Sequence, residues 1–74
     1  MTAKTKNHIM AMLMSDADEH RACIRVLEDD RRNVASTDEL RDISAVIRRV
    51  RAALKQTEDA LDEIASVLTA EGGS

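Results

Sequence analysis

The chain has 74 residues and a formal net charge of -3, contains no Phe, Tyr, Trp or Pro, and carries its two glycines in a polar C-terminal stretch. This length allows one small domain, and a hydrophobic fraction of 43% is too high for a typical disordered tail. The acidic balance argues against a general binder of nucleic acid or membrane surfaces, and no segment approaches the ~20 apolar residues of a membrane span.

Helix-forming residues dominate the chain. Ala, Leu, Arg, Glu and Met are plentiful, nothing between Thr2 and Glu71 forces a turn, and apolar residues do not alternate with period two. We therefore predict an all-α fold, with residues 1–71 forming a single helical-hairpin domain and residues 72–74 forming a disordered polar tail.

The N-terminal half predicts one amphipathic helix. Steps of three and four residues place one member of the apolar series after another on the same side of a helix. His20 and Arg31 are its polar members, and the full series is Met10, Leu13, Ala17, His20, Ile24, Leu27, Arg31 and Val34. We predict a helix from about residue 5 to residue 33. A break near residue 15 is an alternative, because Ser15 followed by Asp18 has the spacing of a helix N-cap.

The sequence NVASTDEL, residues 33–40, marks the start of a second helix. Ser36 is the expected N-cap, with Glu39 three residues later completing a capping box. The carboxylates of Asp38 and Glu39 also lie in the first turn, where the helix dipole favours negative charge.

The second helix carries a heptad seam. Its members are Leu40, Ile43, Ile47, Val50, Leu54, Thr57, Leu61, Ile64 and Leu68. A parallel stripe at steps of seven residues consists of Val46, Ala53, Ala60 and Val67. The apolar side is therefore as wide as that of a bundle helix, wider than a two-stranded coiled coil requires.

Two long helices joined by about three residues are expected to fold back as an antiparallel hairpin. Facing residues should then have numbers that sum to 70 or 71, such as Ile24 with Ile47 and Leu27 with Ile43. In this register the expected charge neighbours are Glu28 and Asp29 with Arg41, Asp16 and Glu19 with Arg51 and Lys55, and Lys4 and Lys6 with Asp62 and Glu63. A two-helix hairpin has one buried seam, so its wide apolar side should be covered by a second hairpin, forming a four-helix bundle, or by another protein.

The stretch IMAMLM, residues 9–14, concentrates three of the four methionines. Met is flexible and suits adaptable contact surfaces, although it also fills irregular gaps in cores. The hairpin places this Met stretch at the open end, beside the C-terminal part of the second helix. The predicted partner-binding residues are Ile9, Met10, Met12, Leu13, Met14, Leu61, Ile64, Val67 and Leu68.

Other chemistry is weakly represented in the sequence. Asp16, Glu19, His20 and Cys23 share one side of the first helix, but the sequence has no second matching cluster. A seam histidine, satisfied or half-exposed, therefore fits His20 better than a metal site does. No pattern of a nucleophile, an acid–base pair or a phosphate-binding loop is present, so we expect neither catalysis nor a cofactor.

A local basic stretch is the candidate for nucleic-acid contact. It consists of Arg41, Arg48, Arg49, Arg51 and Lys55, without the aromatic side chains on which bases stack. Nearby carboxylates and the net acidity make nucleic acid the less favoured ligand.

The short acidic chain, the capped turn at NVASTDEL and the Met-rich end resemble small helical antiactivators carried by mobile genetic elements, of the TraM and QseM type. The resemblance covers the hairpin as a format, one that small antitoxins and phage accessory proteins share, and it carries over no residue. It implies a regulatory protein that binds and silences a transcriptional activator.

We therefore expect a non-enzymatic cytoplasmic protein that binds another protein and modulates it. The single cysteine agrees with a reducing compartment. The alternatives are a structural homodimer that forms a four-helix bundle, and a nucleic-acid accessory protein.

Overall fold

The structure is a computed structural model that describes residues 1–69. It contains two helices, α1 (Ala3–Asn33) and α2 (Thr37–Ala65), joined by residues 34–36. No strand occurs within these described residues. The all-α helical hairpin is confirmed, whereas the predicted tail at residues 72–74 lies outside the described part.

The two helices run antiparallel and contact each other at several levels along the hairpin. Lys6, near the start of α1, contacts the last residue of α2, Ala65. Glu28, near the end of α1, contacts Arg51 in the middle of α2. The short connection therefore reverses the chain as the sequence predicts.

Helix α1 is continuous, so the alternative of a break near residue 15 is wrong. Ser15 lies inside the helix, and the N-cap is Thr2, whose hydroxyl accepts a hydrogen bond from the backbone N–H of Thr5 at 3.2 Å. This cap lets the helix begin at Ala3, two residues earlier than expected.

The predicted cap of α2 is confirmed. The hydroxyl of Ser36 accepts a hydrogen bond from the backbone N–H of Glu39 at 3.4 Å. Asp38 and Glu39 provide the acidic first turn. The cap and these charges together stabilise the end of the helix that carries partial positive charge.

Helix α2 ends at Ala65, so the prediction that its seam continues to Leu68 is wrong. The Ser66 hydroxyl donates to the carbonyl of Glu63 at 2.8 Å, which offers the backbone an alternative to a further helical turn. The Lys6 ammonium donates to the carbonyls of Ala65 at 2.9 Å and of Val67 at 3.0 Å. Since α2 has no basic residue in its last turn, Lys6 supplies the positive charge that a helix C-terminus favours.

The seam predicted from the sequence is the buried side of both helices. Ala17, Ile47 and Ile64 are buried, with Ile47 only 2% exposed. Every other predicted seam residue is half-buried except Leu40, which lies beside the turn, and Leu68, which is 89% exposed. The α1 seam also continues at the same steps to Lys6 and Ala3, which are half-buried.

The hairpin is a single layer of two helices. Its Cα atoms span 62 × 14 × 10 Å, so no residue has a second layer of protein above it. The accessible surface is 5546 Å², whereas a compact protein of 8.2 kDa exposes about 4,500 Å². The fold therefore exposes about a fifth more surface than a compact domain of this mass.

Candidate functional site

Two ion pairs between the helices show which residues share a broad face of this layer. Arg21 contacts Glu58 at 3.3 Å, and Arg51 contacts Glu28 at 2.7 Å. Each of these four residues immediately follows a seam residue in the sequence. In a helix of 100° per residue, the residues that follow seam positions lie on one flank, and those that precede them lie on the other. Once the seam is known, the sequence therefore indicates which residues lie on each broad face.

The face made by the residues that follow the seam is called here the basic face. Within the two helices it contains eight cations and four carboxylates. Its cations are Lys4, Arg21, Arg25, Arg32, Arg41, Arg48, Arg51 and Lys55. Its only large apolar side chain is Met14.

The face made by the residues that precede the seam is called here the acidic face. Within the two helices it contains six carboxylates and a single cation, Arg49. The carboxylates are Asp16, Glu19, Asp30, Glu39, Asp42 and Glu63. Its apolar members are Ile9, Met12, Cys23, Val26, Val46, Ala53 and Ala60, more than twice as many as on the basic face. The acidic face thus combines negative charge with an apolar strip.

The ion pairs are distributed unequally between these faces. Each of the five ion pairs among residues 1–69 includes a cation of the basic face. None of those pairs includes a carboxylate of the acidic face. The negative charge of the acidic face is therefore not compensated by ion pairing within the described residues.

The charge neighbours predicted from the register differ from the observed pairs. Arg51 contacts Glu28 and does not pair with Asp16 or Glu19, and Lys55 contacts Asp59 of its own helix at 3.5 Å. The physical reason is that Asp16 and Glu19 precede seam residues and so lie on the acidic face, opposite these cations.

The other two groups of predicted neighbours also form no ion pairs among the described residues. Arg41 contacts Asp38 one turn away in its own helix at 3.8 Å. Lys6 donates to the carbonyls of Ala65 and Val67 and does not pair with Asp62 or Glu63. For Arg41, a spacing of three residues within one helix brings the two side chains close without a contact across the layer. For Lys6, the carbonyls at the end of α2 take the place of the predicted carboxylates.

The Met stretch is divided among three environments. Met10 and Leu13 are half-buried in the seam. Met12 precedes Leu13 and lies on the acidic face, 53% exposed, whereas Met14 follows Leu13 and lies on the basic face, 56% exposed. These two side chains are about 200° apart around the helix, so one flat partner surface cannot contact both.

The remaining predicted partner-binding residues are also separated. Leu61 and Ile64 belong to the seam, where Ile64 is 8% exposed, so it faces the other helix. Ile9 lies on the acidic face beside Met12. Val67 and Leu68 lie beyond the end of α2, Val67 half-buried and Leu68 exposed. The structure brings Ile9 and Met12 together with the strip of Val46, Ala53 and Ala60 on the same face.

Sequence reasoning missed that charge is segregated between the two faces. The signal was present in the residues on either side of each seam position. Asp42 and Arg41 show the pattern, since Asp42 immediately precedes Ile43 and Arg41 immediately follows Leu40. Of the predicted basic stretch, only Arg49 lies on the acidic face.

The described part of the chain shows neither a pocket for a small molecule nor a cluster of metal ligands. Residues 1–69 enclose no pocket and hold no group of three or more His, Cys, Asp or Glu side chains arranged for a metal ion. Cys23 is a free, exposed thiol on the acidic face. Within the same residues, neither helix is apolar enough over its length to cross a membrane.

Comparisons with protein-family models, with curated proteins and with solved structures found no match to this chain.

Proposed function

We propose that this chain is a small non-enzymatic regulatory protein that binds another protein through an apolar helical surface and inhibits or modulates it. The observation that carries the proposal is the exposure of large apolar side chains on one face of a single-layer fold. Met12, Val26 and Val46 are each about half exposed or more on the acidic face. Domains normally bury such a side against another element, and large exposed apolar surfaces mark interaction sites.

The mode of binding follows from the shape of the surface. Two helices that lie side by side leave a shallow depression along their line of contact on each broad face, and the depression on the acidic face is called here the groove. A helix of a partner fits such a groove by its apolar side. Binding there occupies the partner's own helix and prevents it from making other contacts. Because the short acidic chain, its capped turn and its Met-rich end resemble small antiactivators, we propose a transcriptional activator as the partner.

The cytoplasm is the proposed location. Cys23 is exposed and unpaired among the described residues, and a reducing compartment keeps such a thiol free. Binding through apolar burial requires no cofactor.

A second candidate function rests on the basic face. Arg41, Arg48, Arg51 and Lys55 lie on the same side of α2, and cations of α1 share that face. Such a surface can contact a nucleic-acid backbone, although three of these four cations are held in ion pairs with nearby carboxylates.

The test is capture of the partner by the tagged full chain, its identification by mass spectrometry, and titration of the purified partner. We expect a Met12→Gln, Val46→Gln double variant to bind at least about tenfold more weakly than wild type, because it removes apolar burial at an interface. Met14→Gln is the matched control on the opposite face and should bind normally. Circular dichroism should show unchanged helix content in all three proteins.

Two results would contradict this function. The first is normal partner binding by the double variant. The second is a chain whose only ligand is nucleic acid, with binding lost in an Arg48→Glu, Arg51→Glu variant and weakened steeply by salt. That outcome would select the basic face and the second candidate.

A further inference from the structure

The structure also constrains the chemistry of the partner, and this inference rests on the proposed function. We infer that the groove on the acidic face receives a basic amphipathic helix, whose apolar side enters the groove and whose flanking Lys and Arg side chains meet the surrounding carboxylates. The occupant is a helix of another protein, not a second copy of this chain.

The floor of the groove is shaped for close approach of a helix. Ala53 and Ala60 are half-buried and small, and they lie one heptad apart in the second half of α2. Larger apolar side chains share this face, Met12 and Val26 on α1 and Val46 on α2, each about half exposed or more. Small residues between larger ones let the backbone of a third helix approach while its side chains contact the walls.

Charge on both sides of this floor specifies the partner. Asp16, Glu19 and Asp30 accompany the apolar residues along α1, and Asp42 and Glu63 accompany them along α2. None of these carboxylates is in an ion pair among residues 1–69. A partner with cationic flanks supplies the missing charges, and complementary charge directs both the rate and the specificity of association.

A second copy of the chain is a poor occupant of the same groove. A two-fold contact places the same face on both sides, so carboxylates oppose carboxylates with only Arg49 from each chain to offset them. The basic face of another copy has the right charge, but Met14 is its only large apolar side chain, and the Arg21 and Arg51 guanidiniums are already paired.

The exposed area is consistent with one added partner. The hairpin exposes roughly 1,000 Å² more than a compact protein of its mass, summed over the whole molecule, by the same comparison of 5546 Å² with about 4,500 Å². One side of a standard protein–protein interface buries about 800 Å². A single docked helix of about 20 residues is ~30 Å long and fits within the ~43 Å length of α2.

The experiment uses the full chain and three synthetic helical peptides of about 20 residues. They share one apolar side of Leu and Ala, and their flanking positions are Lys and Arg, Gln, or Glu. We expect the basic peptide to bind at least about tenfold more tightly than the Gln peptide at low salt, and the Glu peptide most weakly. This advantage should shrink as salt is raised from about 0.05 M to about 0.5 M.

Matched variants locate the binding site. Met12→Lys should weaken the basic peptide about tenfold or more, since it removes apolar contact and adds a like charge in the groove. Met14→Lys adds the same charge at a similarly exposed position on the opposite face and should change the affinity less than about threefold. Sedimentation of the free chain at the same concentrations should show a monomer.

Three outcomes would overturn the inference. Equal binding of all three peptides would leave an apolar docking face and the proposed function intact, but would remove the charge preference. Binding of no peptide would exclude a basic helix as the occupant. The proposed function would then still be tested by the binding of the Gln variants to the captured partner. A dimer of the free chain that Met12→Lys dissociates would make a second copy the occupant.

Discussion

Ile47 illustrates how few residues hold this hairpin together. It is 2% exposed in the first half of α2, and only Ala17 and Ile64 are comparably buried among the described residues. Chains of this size gain only about 3–5 kcal/mol from one core, so a single buried side chain accounts for a large fraction of the stability.

Ile47→Asp should therefore unfold the protein. An unpaired charge placed in this core costs several kcal/mol, which is comparable to the whole free energy of unfolding. Val46→Asp is the control, because the neighbouring side chain is 46% exposed and its carboxylate stays in water. Far-UV circular dichroism should show lost helix content for Ile47→Asp alone, and a folded Ile47→Asp protein would argue against this seam.

Lys6 provides a second test at the scale of one residue. Lys6→Met keeps the length of the side chain but removes the bonds to the carbonyls of Ala65 and Val67. We expect a loss of about 0.5–1.5 kcal/mol in urea unfolding, reduced from the value of a buried charged bond because the side chain is only half-buried. Lys4→Met, at an exposed position, should stay within about 0.5 kcal/mol of wild type. Equal midpoints for the two variants would show that Lys6 does not cap α2.

At the scale of the helices, two serines distinguish a cap from a helix interior. Ser36 bonds the N–H of Glu39 at the start of α2, whereas Ser15 lies exposed within α1. The same substitution should therefore have opposite consequences at the two positions.

Ser36→Ala should lower the free energy of unfolding by about 0.5–2 kcal/mol, because the cap is lost. Ser15→Ala should leave stability unchanged or raise it by a few tenths of a kcal/mol, since Ala is the better helix former. Urea midpoints provide the comparison. Destabilisation by Ser15→Ala would indicate that α1 is interrupted there.

The sequence predicts the helices and their buried sides well, because both follow from local spacing. The steps from Met10 to Val34 identify the seam of α1, and Ser36 identifies the start of α2. The end of α2 escapes prediction because the heptad pattern continues past Ala65. What stabilises the observed end includes Lys6, which is distant in sequence, and no local pattern shows that contact.

The candidate surface was only partly predictable for a related reason. A cluster such as the Met stretch suggests one contact area, but a helix turns Met12 and Met14 to opposite faces within two residues. The predicted charge neighbours were likewise matched only by their position along the hairpin axis, which does not indicate the face on which each side chain lies. Arg51 therefore meets Glu28, on its own face, and does not meet Asp16.

For the whole molecule, the thin core means that the proposed binding should raise the stability of the fold measurably. A ligand that binds only the folded chain stabilises it by an amount that grows with ligand concentration, about 2.7 kcal/mol at 100 times the Kd. The melting temperature should rise as the basic helical peptide is added, and it should rise little with the Glu peptide. A calorimetric scan with no dependence on the basic peptide would contradict this expectation.

The most direct measurement is an amide NMR titration of the full, isotope-labelled chain with the basic helical peptide. If the acidic face is the open side of the hairpin, shifts should concentrate at Ile9, Met12, Val46, Ala53 and Ala60. Amides of the basic face, such as those of Met14 and Arg21, should move little. Shifts concentrated on the basic face, or a spectrum that stays unchanged at saturating peptide, would contradict the account.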